Sequence, residues 1–138
     1  MTVFVDTGVL FAATASRDGR HARATEILRS IAEPTTTSDH VLLETWLLFD
    51  SRYGRDAASR FWRGLRDTGL RVECVTAVDL ERGLGIAEAW PDQHFDFVDC
   101  TSFAVIERLR LRKAASFDSD FAIFRLGPDR RQALEILS

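Results

Sequence analysis

Hydrophobic and polar positions along the chain predict short strands that are separated by helices. The first apolar block, Thr2 to Val5, is a β-branched and aromatic run that predicts a buried strand ending at Asp6-Thr7-Gly8. From about His21 to Ala32, apolar residues recur at the i, i+3, i+4, i+7 spacing of a helix, which Pro34 ends. Thr35 to Thr37 is a candidate for the second strand.

The middle of the chain predicts a helical hairpin. A strongly apolar helix, capped by Ser38 or Asp39, runs to about Tyr53, and an amphipathic helix runs from about Arg55 to Thr68. A glycine follows each helix, as is common at helix C-termini. The aromatic residues of the hairpin either face a partner protein or belong to the core, and their helical spacing favours the core: Trp46, Phe49, Phe61 and Trp62.

The last part of the chain again alternates between strand and helix. Thr76 followed by Asp79 predicts a capping box that opens one helix, and Asp96 followed by Asp99 repeats the pattern for the next. These helices end near Ala89 and Arg110, and the other predicted elements are strands at Arg71 to Val75 and Ala114 to Phe117, a short helix from Asp120 and an edge strand at Ala133 to Ile136.

This order of elements predicts an α/β fold and a single domain over residues 1–138. Right-handed crossovers between parallel strands place helices on both faces of the sheet, giving three layers, α/β/α. We expect a central parallel sheet of four to five short strands and a protruding helical hairpin. In such sheets, ligands bind beyond the carboxyl ends of the strands.

Composition limits the compartment and the kinds of site. A chain of 138 residues, 46% of them hydrophobic, can bury a core without disulfide or zinc staples. Cys74 and Cys100 form no C-x-x-C or Cys/His cluster, which favours a reducing compartment. The N-terminus has no signal-like pattern, and no apolar window is long enough to span a membrane. We therefore expect a soluble, cytoplasmic protein with no membrane partner.

The charge balance is slightly acidic. The chain has 21 acidic and 18 basic residues and a formal net charge of -3, whereas the commonest nucleic-acid binders have a basic face. All the basic residues except Lys113 are arginines, which fits either an Arg-rich codon usage or recognition of phosphate by guanidinium groups.

Four carboxylates lie within apolar sequence, where acids are uncommon. Asp6 and Asp118 each follow a predicted strand and are expected at the same edge of a parallel sheet, while Glu44 lies in the apolar helix and Asp99 in the first turn of its helix. Singly, each has a structural explanation as a turn former, a cap or an ion-pair partner. Together they would repel one another unless a cation lay among them, and carboxylates without His or Cys favour Mg²⁺ or Mn²⁺.

The segments around these acids resemble a known family. Asp6 follows a short N-terminal strand, Glu44 lies in a Leu-rich helix, and the other two acids lie in the segments FVDCTSF (97–103) and SFDSDF (116–121). In order and spacing, the pattern is similar to that of PIN-domain ribonucleases, and most closely to the VapC toxins of bacterial type II toxin–antitoxin systems.

The resemblance implies a PIN-like fold and a Mg²⁺- or Mn²⁺-dependent endoribonuclease. Asp6 and Asp99 would be direct metal ligands, Glu44 a ligand or a base that orients water, and Asp118 a ligand of a second or water-mediated metal. The resemblance also implies an RNA substrate, a small antitoxin protein that blocks the site, and a homodimer.

Residues near the four acids are candidates for auxiliary roles. Thr7 would orient water or phosphate, or would only finish a turn. Asp96 and Asp120 would either line the acidic site or cap helices, and capping is the expectation. Positive residues at the rim are expected to bind the RNA: Arg17, Arg20, His21, Arg108, Arg110, Arg112 and Lys113.

Two other functions stay open. An aspartyl-phosphate phosphatase also places Asp at a strand end, but Gly8 stands where such enzymes carry a second Asp. A catalytically silent PIN-like module would bind RNA or protein and keep the acids for structure. The net charge does not exclude RNA, because removing the four proposed site acids leaves 17 acidic against 18 basic residues. The acidity would then be concentrated where a cation binds.

Overall fold

The chain, described by a computed structural model over residues 1–138, folds into seven strands and seven helices. The strands are β1 (Val3–Val5), β2 (Thr35–Ser38), β3 (Arg71–Glu73), β4 (Lys113–Ala115), β5 (Arg125–Leu126), β6 (Gln132–Ala133) and β7 (Glu135–Leu137). The helices are α1 (Thr7–Thr14), α2 (His21–Ser30), α3 (Asp39–Tyr53), α4 (Arg55–Gly64), α5 (Ala77–Ala89), α6 (Phe97–Arg108) and α7 (Ser119–Ile123). None of these helices combines enough length and apolar character to cross a membrane.

Five of the strands form a parallel sheet in the order β3-β2-β1-β4-β7, and β5 pairs with β6 in a separate antiparallel hairpin. In the centre of the sheet, Phe4 of β1 lies opposite Thr36 of β2 and Ala114 of β4. All five strands run in the same direction, so their carboxyl ends lie along one edge. The predicted α/β fold with a central parallel sheet is confirmed.

Successive residues of β1 point to opposite faces of the sheet, and each face packs against different helices. Phe4 is fully buried and faces Phe121 of α7 at 6.4 Å between ring centroids, and Phe121 packs on Phe103 of α6 at 4.9 Å. Val5 instead lines a groove with Leu10 of α1 and residues of α2 and α4. The hydrophobic core of 28 buried residues draws on both sides of the sheet.

Helix α1 begins directly after β1, where the sequence predicted only a turn. Most of its residues are buried: Thr7, Val9, Leu10, Phe11 and Ala12. A helix without a solvated face has no polar stripe, so the periodicity that reveals amphipathic helices is absent from this segment. The turn prediction was wrong for that reason, and the helix places its N-terminus at the carboxyl edge of the sheet.

Other boundaries also differ from the predictions. The helix expected to reach Thr68 ends as α4 at Gly64 and continues as a 3₁₀ turn over Leu65–Asp67. The third strand ends at Glu73, before the expected Val75. The β5–β6 hairpin was not predicted, because its strands have two residues each and show no alternating pattern.

The aromatic residues of the α3–α4 hairpin divide between core and surface. Phe49 and Phe61 are buried and stack at 5.0 Å between ring centroids, which confirms their core assignment. Trp46 is partly buried under the Arg55 guanidinium, 4.8 Å from the ring centroid. Trp62 is 42% exposed, so the core prediction was wrong for this residue.

Candidate metal centre

Three aspartates converge at the carboxyl edge of the sheet, each from a different element. Asp6 directly follows β1, Asp118 lies beyond β4, and Asp99 lies in the first turn of α6. One carboxylate oxygen of each lies within 4.8 Å of the others. Because β1 and β4 are neighbours in a parallel sheet, residues that follow them meet at one edge even though they are far apart in the sequence.

Ser116 ties Asp6 to Asp118, and sequence reasoning did not select it. Its Oγ donates a hydrogen bond to Asp6 Oδ2 at 2.9 Å and accepts one from the Asp118 backbone N–H at 3.0 Å. The Asp6 N–H donates to the Ala115 carbonyl at 3.0 Å. The one available signal for Ser116 was its position, as a small polar residue between a buried strand and Asp118.

Asp99 is oriented by helix capping and keeps one oxygen unpaired. Asp96 is the N-cap of α6, and its Oδ1 accepts a hydrogen bond from the Asp99 N–H at 2.8 Å, which confirms the predicted cap. Asp99 is only 5% exposed, and its Oδ2 has no hydrogen-bond partner. A buried carboxylate oxygen without a partner is costly, and a cation bound beside this atom would offset that cost.

Glu44 lies in the second turn of α3, near the three aspartates but outside the group whose oxygens lie within 4.8 Å of one another. Burial raises its pKa, the Thr7 hydroxyl partly offsets this effect, and the charges of Asp96 and Asp118 reinforce it. The Thr7 hydroxyl is buried, and no group lies in the right position to form a hydrogen bond with it. Its contact with Glu44 is therefore loose, and the hydroxyl is free to bind another group.

Burial favours the protonated forms of Asp6 and Asp99. It raises the pKa of Asp6 to about 7, although the Thr7 N–H and the Ser116 hydroxyl favour the charged form. Burial and the neighbouring charge of Asp6 raise the pKa of Asp99 well above its usual range. Helices α1 and α6 both begin at the cluster, and their dipoles offset only part of the repulsion.

Asp120 does not cap the last helix as predicted. The N-cap of α7 is Asp118, whose Oδ1 accepts the Asp120 N–H at 2.9 Å. Burial and the charge of Asp118 raise the pKa of Asp120, while a contact with Asp99 lowers it. Asp120 therefore lies beside the cluster and adds to its negative charge.

Three of the predicted RNA-binding residues lie at the opposite edge of the sheet. Arg110 and Arg112 precede β4, and Lys113 is its first residue, whereas Asp118 follows the other end of that strand. Lys113 also pairs with Glu33 at 3.1 Å. Their predicted place at the rim of the site was wrong, because β4 crosses the sheet between them and the cluster.

Arg108 is also unavailable, because it pairs with a buried acid. Its Nε lies 3.0 Å from Oδ1 of Asp79, which is 2% exposed. The remaining predicted residues lie in and just after the turn between α1 and α2: Arg17, Arg20 and His21. In this turn, Arg20 places its guanidinium over the ring of Phe117, the neighbour of Asp118.

The donor set fits a hard divalent cation. The cluster offers only carboxylate oxygens, which Mg²⁺ and Mn²⁺ prefer. The thiol of Cys100, next to Asp99, contacts the Phe95 carbonyl oxygen at 4.0 Å, and burial raises its pKa to about 11. The thiol is therefore a poor candidate for a soft metal ligand. A cation would give Asp99 Oδ2 the partner it lacks.

Sequence comparisons identify relatives across most of the chain. Residues 3–125 match the PIN domain family. The chain is 38% identical over 126 residues to the 23S rRNA-specific endonuclease VapC20 of Mycobacterium tuberculosis, covering 87% of this chain and 92% of that protein. It is 25% identical over 116 residues to the ribonuclease VapC26 of the same organism, covering 84% and 86% of the two chains.

Solved structures agree with the sequence comparisons. The crystal structure of M. tuberculosis VapC20, a toxin that cleaves the sarcin–ricin loop, superposes with a TM-score of 0.82 at 36% identity and covers 88% of this chain and 93% of that one. A toxin–antitoxin complex from Klebsiella pneumoniae has the same fold, with a TM-score of 0.68 at 16% identity over 87% and 90% of the chains. This chain belongs to the PIN domain family, in the branch of the VapC-type ribonuclease toxins.

Proposed function

We propose that this protein is a Mg²⁺- or Mn²⁺-dependent endoribonuclease toxin that hydrolyses RNA phosphodiester bonds at the cluster of Asp6, Asp99 and Asp118. The observation that carries the proposal is the buried, unpaired Oδ2 of Asp99, in a cluster whose oxygens lie within 4.8 Å of one another. A cation is the partner that such an atom needs, and an oxygen-only set favours Mg²⁺ or Mn²⁺.

The four acids have distinct proposed roles. Asp6 and Asp99, both nearly fully buried, bind the cation directly. Asp118 completes the set or binds through water, because it is the least buried of the three aspartates. Glu44 lies outside the three-aspartate cluster and orients the attacking water or binds the cation through water. When bound, the cation offsets the charge of the scissile phosphate and lowers the pKa of the attacking water.

Three neighbouring residues support these roles in the proposal. The buried Thr7 hydroxyl, which has no partner, binds a water molecule or a phosphate oxygen. Asp96 positions Asp99 through the 2.8 Å hydrogen bond from the Asp99 N–H. Asp120 adds negative charge beside the cluster, which strengthens the attraction between the cluster and a cation.

We propose 23S rRNA as the substrate, at its sarcin–ricin loop. The support is the 38% identity to a 23S rRNA-specific endonuclease and the similarity to the structure of a toxin that cleaves this loop. Single-stranded loops expose bases and phosphates to a site of this kind, whereas an A-form duplex hides the base edges of its deep, narrow major groove.

We expect the wild-type protein to cleave a sarcin–ricin loop oligonucleotide in Mn²⁺ or Mg²⁺ and to lose cleavage in EDTA. Removing the cation leaves the acids to repel both one another and the phosphate. Cleavage is measured on a denaturing gel, with a loop of scrambled sequence as the control. Equal cleavage of the two RNAs would contradict the substrate, and cleavage that continues in EDTA would contradict the metal dependence.

The same assay separates the other functions considered. A catalytically silent module would bind the RNA without cutting it at any metal concentration. A phosphatase would form an acyl phosphate at Asp6, so labelling of Asp6 by a small phosphoryl donor would support that function instead.

We also propose a small antitoxin protein as a partner, bound in the groove between α1, α2 and α4. The groove has a volume of about 610 Å³ and is lined mainly by apolar side chains, with Arg29 and Arg60 among the residues that line it. An antitoxin segment with apolar residues flanked by acidic ones would complement it. The toxin–antitoxin complexes among proteins of the same fold support a partner of this class.

We expect Gly64→Trp to block the antitoxin without impairing cleavage. Gly64 lines the groove, and nothing lies within 4 Å of a Cβ built there, so the indole fills the groove rather than the core. Gly85 is an equally open helical position that does not line the groove, so Gly85→Trp is the matched control. Co-purification with the proposed antitoxin, co-expressed with each variant, is the measurement, and equal recovery by both variants would contradict the groove assignment.

The remaining proposals concern assembly and location. We propose a homodimer, supported by Leu43 and Leu47, which are 55% and 59% exposed and lie one turn apart on α3 beside Glu44. We propose that residues 1–138 act as one domain in the cytoplasm, where ribosomal RNA is found. The shared core of 28 residues supports the single domain.

A further inference from the structure

The turn between α1 and α2 has an ordered backbone. The Arg20 N–H donates to Asp18 Oδ1 at 2.8 Å, and the Asp18 N–H donates to the Ala15 carbonyl at 2.9 Å. His21 closes the turn, with its Nδ1 2.8 Å from the Ala12 carbonyl oxygen. These bonds fix the point from which the Arg20 side chain leaves the backbone.

The Arg20 side chain lies on an aromatic ring beside the metal centre. Its guanidinium carbon is 5.0 Å from the centroid of the Phe117 ring. Phe117 also approaches Gly8, where a built Cβ would lie 3.7 Å from Phe117 Cδ2. Phe117 immediately precedes Asp118, and Gly8 follows Asp6 by two residues, so the pair lies against both segments that carry these acids.

The charge of Arg20 is not neutralised by a carboxylate. Its guanidinium is exposed and forms no ion pair with a carboxylate, while six other basic residues do: Arg23, Arg55, Arg82, Arg108, Lys113 and Arg131. A guanidinium that lies over an aromatic ring still has N–H donors directed away from the ring, and their fork matches the oxygens of a phosphate.

We infer that Arg20, held on Phe117, binds a backbone phosphate of the RNA next to the phosphate that is cleaved. This inference rests on the proposed ribonuclease function and names the residue that positions its substrate. The need for such a group follows from the charge around the centre, where Asp96, Asp120 and Glu44 surround the three clustered aspartates and repel RNA. Arg20 supplies the opposite charge at one rim, and Phe117 reduces the side-chain freedom that is lost on binding.

The test compares Arg20→Ala with Arg112→Ala. Arg112 is also exposed but lies before β4, at the opposite edge of the sheet. Affinity for the labelled sarcin–ricin oligonucleotide is measured by fluorescence anisotropy in Ca²⁺, and kcat and KM are measured in Mn²⁺. We expect Arg20→Ala to raise both Kd and KM about tenfold with little change in kcat, as one charge-assisted phosphate contact would. The slope of log affinity against log salt should fall by about 0.7.

Two further variants separate the stacked geometry from charge alone. Arg20→Lys keeps the charge but loses the planar fork, so we expect it to recover only part of the affinity. Phe117→Leu keeps an apolar side chain beside Gly8 but removes the ring, so we expect a smaller rise in Kd. Because Phe117 packs against the core, Kd is measured well below the melting temperature of this variant. Equal Kd and KM for Arg20→Ala and Arg112→Ala would overturn the inference. A wild-type protein that binds but never cuts the RNA would instead overturn the proposed function, and the Kd ratio would still decide the role of Arg20.

Discussion

Replacement of Asp99 by asparagine is expected to abolish RNA cleavage while making the metal-free protein more stable. Asparagine keeps the shape of the side chain and the hydrogen bond from its own N–H to Asp96, but it removes a direct ligand of the proposed cation. We expect a loss of activity of about 10³-fold, which corresponds to roughly 4 kcal/mol of transition-state stabilisation.

The gain in stability follows from the environment of the same carboxylate. Burial and the nearby charges raise the pKa of Asp99, so near neutral pH the folded state must either take up a proton or bury a repelled charge. Asparagine avoids both costs, and we expect an increase of about 2 kcal/mol in the free energy of unfolding in EDTA at pH 7.5. The increase should shrink as the pH falls toward the unfolded value of 3.8 and nearly vanish at about pH 3, where the aspartate is protonated in both states.

The measurements are cleavage in Mn²⁺ and urea denaturation in EDTA. Asp92→Asn is the matched control, because Asp92 is exposed in a turn and lies outside the cluster. Cleavage by Asp99→Asn at the wild-type rate would remove Asp99 from the site. A less stable Asp99→Asn protein at pH 7.5 would instead mean that the buried carboxylate makes a favourable interaction absent from the structure.

Local signals in the sequence predicted the elements whose ends are fixed by their own residues. The capping box of α5 is present as expected: Thr76 Oγ1 accepts from the Asp79 N–H at 3.1 Å, and Asp79 Oδ2 accepts from the Thr76 N–H at 2.9 Å. Helix α1 was not predicted, because its sequence pattern depends on contacts with elements that are distant along the chain. Its faces are covered by other elements, so no solvated stripe is left in its sequence.

The same division between local and tertiary information applies to the site. The placement of Asp6 and Asp118 after parallel strands was enough to predict that they share an edge. The ion pair between Asp79 and Arg108 was not predictable, because Arg108 lies at the far end of α6. The prediction that Lys113 lies at the rim of the site was wrong for a similar reason. Lys113 is only five residues from Asp118 in the sequence, but the length of β4 separates the two residues in the fold.

The stability of the metal-free protein is expected to fall as the pH rises from 5 to 7. Asp6 has a pKa raised from 3.8 to about 7 in the folded state, so the folded protein binds more protons than the unfolded chain throughout this range. A raised pKa contributes stability that is complete below the unfolded value and is lost as the pH rises through the folded value. Each additional proton held by the folded state makes the free energy of unfolding fall by about 1.4 kcal/mol per pH unit.

The sign of this effect is specific to the cluster. Asp50 and Asp79 have lowered pKa values from their arginine partners, and such groups change stability only below their unfolded values, outside this window. Bound Mn²⁺ replaces the protons, so we expect its stabilising effect to grow between pH 5 and 7 and its apparent affinity to rise.

Urea denaturation at pH 5, 6 and 7, in EDTA and in Mn²⁺, measures both effects. Asp6→Asn should lessen the fall of stability with pH in EDTA without abolishing it, because its amide does not titrate while Asp99 still takes up a proton on folding. The exposed control Asp92→Asn should keep the wild-type slope. If the free energy of unfolding of the wild-type protein in EDTA rises with pH, the folded state does not favour the protonated forms of these carboxyl groups. The unpaired oxygen of Asp99 would then no longer call for a cation, and the metal-dependent function would lose its physical basis.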